Sequence, residues 1–69
     1  MVHAETSTGV RSNVSEICKI AKSFGCLTIV DSVTGLAGVE LRVDAWSIDV
    51  AYSGTQKCLS APPGISLIT

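Results

Sequence analysis

Long apolar runs, paired cysteines and clustered charge are all missing from this chain, and each absence removes a class of function. No uninterrupted apolar stretch comes near the roughly 18 residues that a membrane helix needs. No basic segment leads into an apolar one at the start, as a secretory signal would require. The five basic residues, Arg11, Lys19, Lys22, Arg42 and Lys57, are scattered over 69 positions, and the net charge is −1. Nucleic acids and anionic membranes are bound by lysines and arginines gathered on one face, so neither is expected as a partner. Cys18, Cys26 and Cys58 form no CxxC pair, and an odd count of this kind suits reduced, packed thiols rather than a disulfide framework. A zinc centre made from them and His3 would lack the closely spaced ligand pairs such sites use. The setting implied is soluble and intracellular, be it cytoplasm, peroxisome or mitochondrion.

Aromatic residues are also scarce: Phe24, Trp46 and Tyr52 are the only three. Yet 46% of the residues are hydrophobic and the mean hydropathy is +0.46. The apolar content is therefore aliphatic and β-branched, the composition of the inside of a larger sheet protein. A chain this short buries only about 60% of its unfolded surface. Those that fold alone usually depend on disulfides, a metal or oligomerisation, none of which is advertised. With no linker, repeat or low-complexity tract, residues 1–69 read as one continuous fragment of a larger domain.

Local signals lay out the elements. Met1–Glu5 reads as a strand end running into the polar turn Thr6-Ser7-Thr8-Gly9. Asn13 is a good N-cap with Glu16 three residues on, and Val14, Ile17, Cys18, Ala21 and Phe24 recur at helical spacing, which predicts a helix over 14–24. Gly25 stands where a glycine stops a helix. Cys26-Leu27-Thr28-Ile29-Val30 is nearly all apolar without alternation, the pattern of a strand buried on both faces of a parallel sheet. Asp31 and Ser32 end it. After an irregular connection marked by Gly35 and Gly38, a strand is expected over 48–52, feeding the loop Ser53-Gly54-Thr55-Gln56-Lys57. Pro62-Pro63-Gly64 turns the chain into a last strand, 65–68. The order β-α-β-β-β predicts an α/β protein with a mostly parallel sheet.

In open α/β sheets ligands sit beyond the carboxyl ends of the strands. Asp31 follows one strand and Lys57 the next, 26 residues later. If those strands are neighbours, about 4.8 Å apart, the carboxylate and the amine open into one crevice with room for a planar ring. A partly desolvated lysine amine forms Schiff bases with aldehydes. A carboxylate can hold a protonated pyridine nitrogen through a charge-assisted hydrogen bond. Each residue also has a plain alternative, Asp31 as a turn cap and Lys57 as a solvated charge. Leu27-Thr28-Ile29-Val30-Asp31 imitates the acidic strand of nucleotide hydrolases too, but no GxxxxGK[ST] segment occurs.

Three stretches go further: His3-Ala-Glu-Thr-Ser-Thr-Gly-Val10, Ile29-Val-Asp-Ser-Val-Thr-Gly-Leu-Ala-Gly-Val-Glu-Leu41 and Ala51-Tyr-Ser-Gly-Thr-Gln-Lys-Cys-Leu-Ser-Ala-Pro-Pro-Gly64. Together they resemble the alanine–glyoxylate and serine–pyruvate aminotransferases, class V enzymes of the fold-type I pyridoxal-phosphate group, over almost the whole chain. The resemblance implies part of the large, cofactor-binding domain and pyridoxal 5'-phosphate as cofactor. It makes Lys57 the Schiff-base lysine, which also moves the α-proton, and Asp31 the partner of the pyridine nitrogen. Val33 matches the residue packed on one face of the ring, Gln56 a phosphate contact, and Thr6 the hydroxyl that reaches the ring's phenolic oxygen. Ser53 and Thr55 are weaker phosphate candidates that could serve only to shape the loop. The implied substrates are a small amino acid, alanine or serine, and a 2-oxo acid, glyoxylate or pyruvate, in a homodimeric parent.

Departures are local. Thr34-Gly35-Leu36-Ala37-Gly38 replaces a usual serine and glycine, Trp46-Ser47-Ile48 lacks the glycine common before the isoleucine, and Arg11-Ser12-Asn13 lacks a proline. The glycine-rich phosphate turn, the ring-stacking aromatic and the substrate-carboxylate arginine of such subunits have no counterpart in these residues. The chain is thus expected to hold the cofactor weakly or not at all unaided. The alternative reading is a catalytically silent short product that associates with a full-length subunit.

Overall fold

The computed structural model describes all 69 residues. Two short strands, β1 (Ala4–Glu5) and β2 (Val10–Arg11), pair antiparallel around the Thr6–Gly9 turn. The helix α1 (Val14–Ser23) follows, then β3 (Ile29–Asp31), β4 (Val50–Gly54) and β5 (Ser66–Ile68). These last three form one sheet, with β3 and β4 parallel and β4 and β5 antiparallel. Val2 bridges in parallel to Asp31 on the other edge of β3. The expected α/β order therefore holds, with a small hairpin added at the start and an antiparallel last strand.

The helix begins and ends where the sequence directs. The Asn13 side chain accepts from the amide of Glu16 at 3.4 Å, satisfying one of the unpaired first-turn donors. At the other end Gly25 takes φ +72°. Its amide donates to the Lys22 carbonyl at 3.0 Å and that of Cys26 to Ala21 at 3.0 Å, the paired bonds of a Schellman stop.

The core is small: Val14 and Cys18 from α1 meet Val30 of β3, Ala51 of β4 and Ile48, with Leu41, Val43 and Trp46 packed at its margin. It lies on one side of the sheet only. The strand expected over Cys26–Val30 starts at Ile29, and its two faces differ, with Val30 fully buried while Ile29 is 55% exposed. Phe24 and Leu27 are 80% and 83% exposed, so the helix stripe is covered only around Val14 and Cys18. The physical reason is that α1 covers one face of the sheet and no element of this chain covers the other. Of the thiols, only Cys18 is buried; Cys26 and Cys58 are exposed, against the expectation of packed cysteines, although all three are free. Twelve of 69 residues are buried and the accessible surface is 4452 Å², against about 4,100 Å² for a self-contained protein of this mass.

The ends of β3 and β4 opposite the loops that carry Asp31 and Lys57 are locked by charge. Asp49 receives the Lys22 ammonium at 2.6 and 2.7 Å and both the amide and the hydroxyl of Thr28, at 2.7 and 3.0 Å. The Asp49 amide in turn donates to the Thr28 hydroxyl at 2.9 Å. One carboxylate thereby ties the last turn of α1 to the entry of both strands. No helix is long and apolar enough to cross a membrane.

Candidate active site

The register of β3 and β4 fixes which groups emerge together. Val30 lies opposite Ala51 and Asp31 opposite Tyr52. Because the strands run parallel, the residues after Asp31 and those after Gly54 leave from the same edge of the sheet, the carboxyl edge where α/β proteins bind ligands.

Buried hydroxyls extend the ladder beyond the strands. The amide and the hydroxyl of Ser32 both donate to the Tyr52 carbonyl, at 3.0 and 2.8 Å. The Ser53 hydroxyl donates back to the Ser32 carbonyl at 3.2 Å. Both serines are buried, where an unmade hydrogen bond is costly, so the exit of β3 is held firmly against β4. Asp31 itself is half-buried and its carboxylate accepts from the Val33 amide at 3.0 Å, an Asx turn that sets the direction of the chain. That carboxylate, acting as hydrogen-bond acceptor, is the main reason the Tyr52 phenol is pushed above its ordinary pKa; desolvation adds to it.

The lysine loop is closed at its base. Thr55, buried, donates its hydroxyl to the Pro62 carbonyl at 2.8 Å, and its own carbonyl accepts from the Ala61 amide at 2.9 Å. The Ser60 amide donates to the Lys57 carbonyl at 2.9 Å. Lys57 and Gln56 stand exposed at the head of this loop. Gln56 folds back so that its Oε1 would lie 2.6 Å from a Cβ at Gly54. The hydroxyls of Ser53 and Thr55 are thus engaged within the fold, shaping the loop.

Val33 and Gln56 line one open cleft of about 580 Å³, shared with Tyr52, Ser53, Gly54 and the stretch 64–68. Asp31, Thr6 and Lys57 lie outside its lining. Thr6 is exposed in the β1–β2 turn. Turn bonding falls to its neighbours: Ser7 donates its amide and hydroxyl to the Glu5 carboxylate, and Thr8 accepts from the Val10 amide. Ser53 and Thr55 take the loop-shaping part that the sequence left open for them, whereas Ser32 and Thr34 were not singled out by sequence reasoning for this structural part. Their signal was a serine or threonine within three residues of each strand's carboxyl end.

Comparison with known proteins decides the family, since the family model for aminotransferase class-V matches residues 1–69. The chain belongs to the class V aminotransferases. It is 48% identical over its full length to an uncharacterized aminotransferase of Methanocaldococcus jannaschii, of which it spans 18%. To the alanine–glyoxylate aminotransferase of Rattus norvegicus it is 46% identical over its full length, spanning 17% of that relative. The crystal structure of the ureidoglycine–glyoxylate aminotransferase of Bacillus subtilis superposes with a TM-score of 0.95 at 48% identity, over 100% of this chain and 18% of that one. The chain thus spans less than a fifth of the relatives it matches, and its fold is that of the fold-type I aminotransferases.

Proposed function

We propose that residues 1–69 are a segment of the cofactor-binding large domain of a longer aminotransferase subunit, carrying the lysine and the aspartate that hold pyridoxal 5'-phosphate. The single observation that carries this reading is the parallel pairing of β3 and β4, by which the Asp31 exit and the Lys57 loop leave one sheet edge together. The residue types suit the group. Asp31 offers a carboxylate for the pyridine nitrogen, Lys57 a primary amine for the aldehyde, Val33 an apolar branched side chain for a ring face, Gln56 an amide for the phosphate, and Thr6 a hydroxyl for the phenolic oxygen. Exposed Ile29, Phe24, Leu27, Ile65 and Ile68 make a surface that further elements of a large domain would cover.

When bound, the cofactor supplies an electron sink for the carbanion formed at the substrate's α-carbon. The chain's part is to orient and to move protons. Asp31 would hold the pyridine nitrogen in its protonated form through a charge-assisted hydrogen bond. Lys57 would anchor the cofactor through its amine, and the same amine would move the proton at the substrate's α-carbon as base and then acid. The substrates we infer are a small amino acid, alanine or serine, and a 2-oxo acid, glyoxylate or pyruvate, in a homodimer; the names of the rat and B. subtilis relatives support glyoxylate as acceptor.

The test is mutational, in the full-length subunit. Lys57→Ala is expected to abolish turnover and Asp31→Asn to reduce it severely, by a factor on the order of a hundred or more if the ring nitrogen loses its proton. Near-normal activity in either variant overturns the assignment.

A further inference from the structure

Thr34 connects three segments that carry separate members of the candidate site. Its hydroxyl donates to the Ala4 carbonyl at 2.5 Å, at the start of β1 and two residues before Thr6. Its carbonyl accepts from the Cys58 thiol at 3.3 Å, and Cys58 adjoins Lys57. Thr34 itself sits on the loop leaving Asp31, next to Val33, and that loop is fastened to β4 through Ser32, whose carbonyl accepts from the amides of Gly35 and Leu36 at 3.1 and 2.9 Å. One half-buried residue thus touches β1 just ahead of the turn with Thr6, sits on the loop with Asp31 and Val33, and touches the loop with Lys57.

The Cys58 thiol, exposed on one side, lies close against Gly38 on the other. A Cβ at Gly38 would lie 2.5 Å from the Cys58 sulfur and 3.2 Å from its Cβ. Gly38 is not in the left-handed region, so the need for glycine there is steric, to admit the thiol. Any side chain at 38 would force the sulfur to turn away from the Thr34 carbonyl or the loop to move.

We propose that Thr34 is a positioning residue: by tying Ala4 and Cys58 together it sets where the Lys57 amine stands relative to Asp31 and Thr6. The proposal rests on the reading of Lys57 and Asp31 as the cofactor residues. Thiol-to-carbonyl hydrogen bonds are individually weak, so the effect comes from the junction as a unit and not from Cys58 alone.

Two variants test it independently, each read in two ways. Thr34→Val removes the bond to Ala4, Gly38→Ala displaces the Cys58 thiol, and Thr34→Ser restores the hydroxyl. In the 69-residue chain, alkylation of Cys58 by a neutral thiol reagent is expected to change several-fold in Thr34→Val and Gly38→Ala and to stay at the wild-type rate in Thr34→Ser. Exposed Cys26, remote from the junction in sequence, is the internal reference. In the full-length subunit the same two variants are expected to lower kcat on the order of tenfold, as misplacement of a reacting group does, with KM for the amino donor little altered and Thr34→Ser close to wild type. Wild-type kcat in both variants, or a fall equally large in Thr34→Ser, overturns the inference. If Thr34→Val fails to fold, Gly38→Ala alone decides. Should Lys57→Ala retain turnover, the reading of the lysine fails instead, so the two failures are distinguishable.

Discussion

Asp31 and Tyr52 face one another in register across the parallel pair β3–β4, and the aspartate's carboxylate pushes the phenol above its ordinary pKa. Tyr52 is the only tyrosine in the chain, so its titration can be followed directly. Asp31→Asn, which removes the charge and leaves only a weaker amide acceptor, is expected to bring the phenol back toward its ordinary 10.0. An absorbance titration of tyrosinate in the two chains checks this; identical curves would mean that the two side chains do not communicate.

Asp49 and Thr28 support a second prediction. The Lys22 ammonium and the Thr28 amide hold the Asp49 carboxyl down to about 2, below its ordinary 3.8. A depressed carboxylate pKa contributes stability that is present above 3.8 and is lost as pH falls through about 2. The hydroxyl of buried Thr28 accepts from the Asp49 amide and donates to its carboxylate. Thr28→Val should therefore cost about 1 to 3 kcal/mol at neutral pH, measured as a lowered urea midpoint. No change would show that the Thr28 hydroxyl adds nothing to the tie already made by the Lys22 ammonium and the Thr28 amide.

His3 predicts a pH dependence of the fold in a higher window. Its ring is fully buried, neither nitrogen has a hydrogen-bond partner, and the Trp46 ring stands edge-on at 6.3 Å. Burial lowers its pKa below the ordinary 6.5 and the Arg11 charge lowers it further, with the nearby Glu40 carbonyl, short of a formed hydrogen bond, partly offsetting both. Below pH 6.5 the unfolded chain then binds more protons than the folded one, so stability falls as pH drops from 6.5 to the folded-state value and levels off beneath it. Unfolding midpoints at pH 7.5 and 5.5 should differ in the wild type and much less in His3→Phe. Equal differences would locate the acid sensitivity elsewhere.

Ser47 marks a cost that one substitution can remove. It sits at φ +56°, in the left-handed region where a side chain costs about 1 to 2 kcal/mol. Ser47→Gly relieves that strain and loses part of the gain to the greater freedom of glycine when unfolded. A net stabilisation of up to about 1 kcal/mol is expected; a lowered unfolding temperature would contradict it.

That position also shows how the sequence could be read. The resemblance led to the expectation of a glycine before Ile48, where Ser47 stands, but only the backbone shows that a glycine there would serve a left-handed turn. The helix was legible because Asn13, Glu16 and Gly25 each act within a few residues of chain. The adjacency of β3 and β4 was not, since it depends on pairing between residues 21 positions apart, such as Asp31 and Tyr52, and the sequence could only state what would follow if the strands were neighbours. The same limit hid the Thr34 junction, whose partners Ala4 and Cys58 lie 30 and 24 residues away. The expectation of a strand buried on both faces came from composition. Ile29 and Leu27 carry the hydrophobicity of a covered face that this chain covers on one side only.

The central claim is that Lys57 is the residue that holds pyridoxal 5'-phosphate, and it is tested most directly by chemistry at that amine. The full-length subunit would be incubated with the cofactor, reduced with borohydride and digested, and phosphopyridoxyl groups located by peptide mapping. Pyridoxamine, which has no aldehyde, serves as the control. The account predicts label on Lys57 and none on exposed Lys19 or on Lys22, whose ammonium is held by Asp49. Label on other lysines with Lys57 unmodified would contradict it.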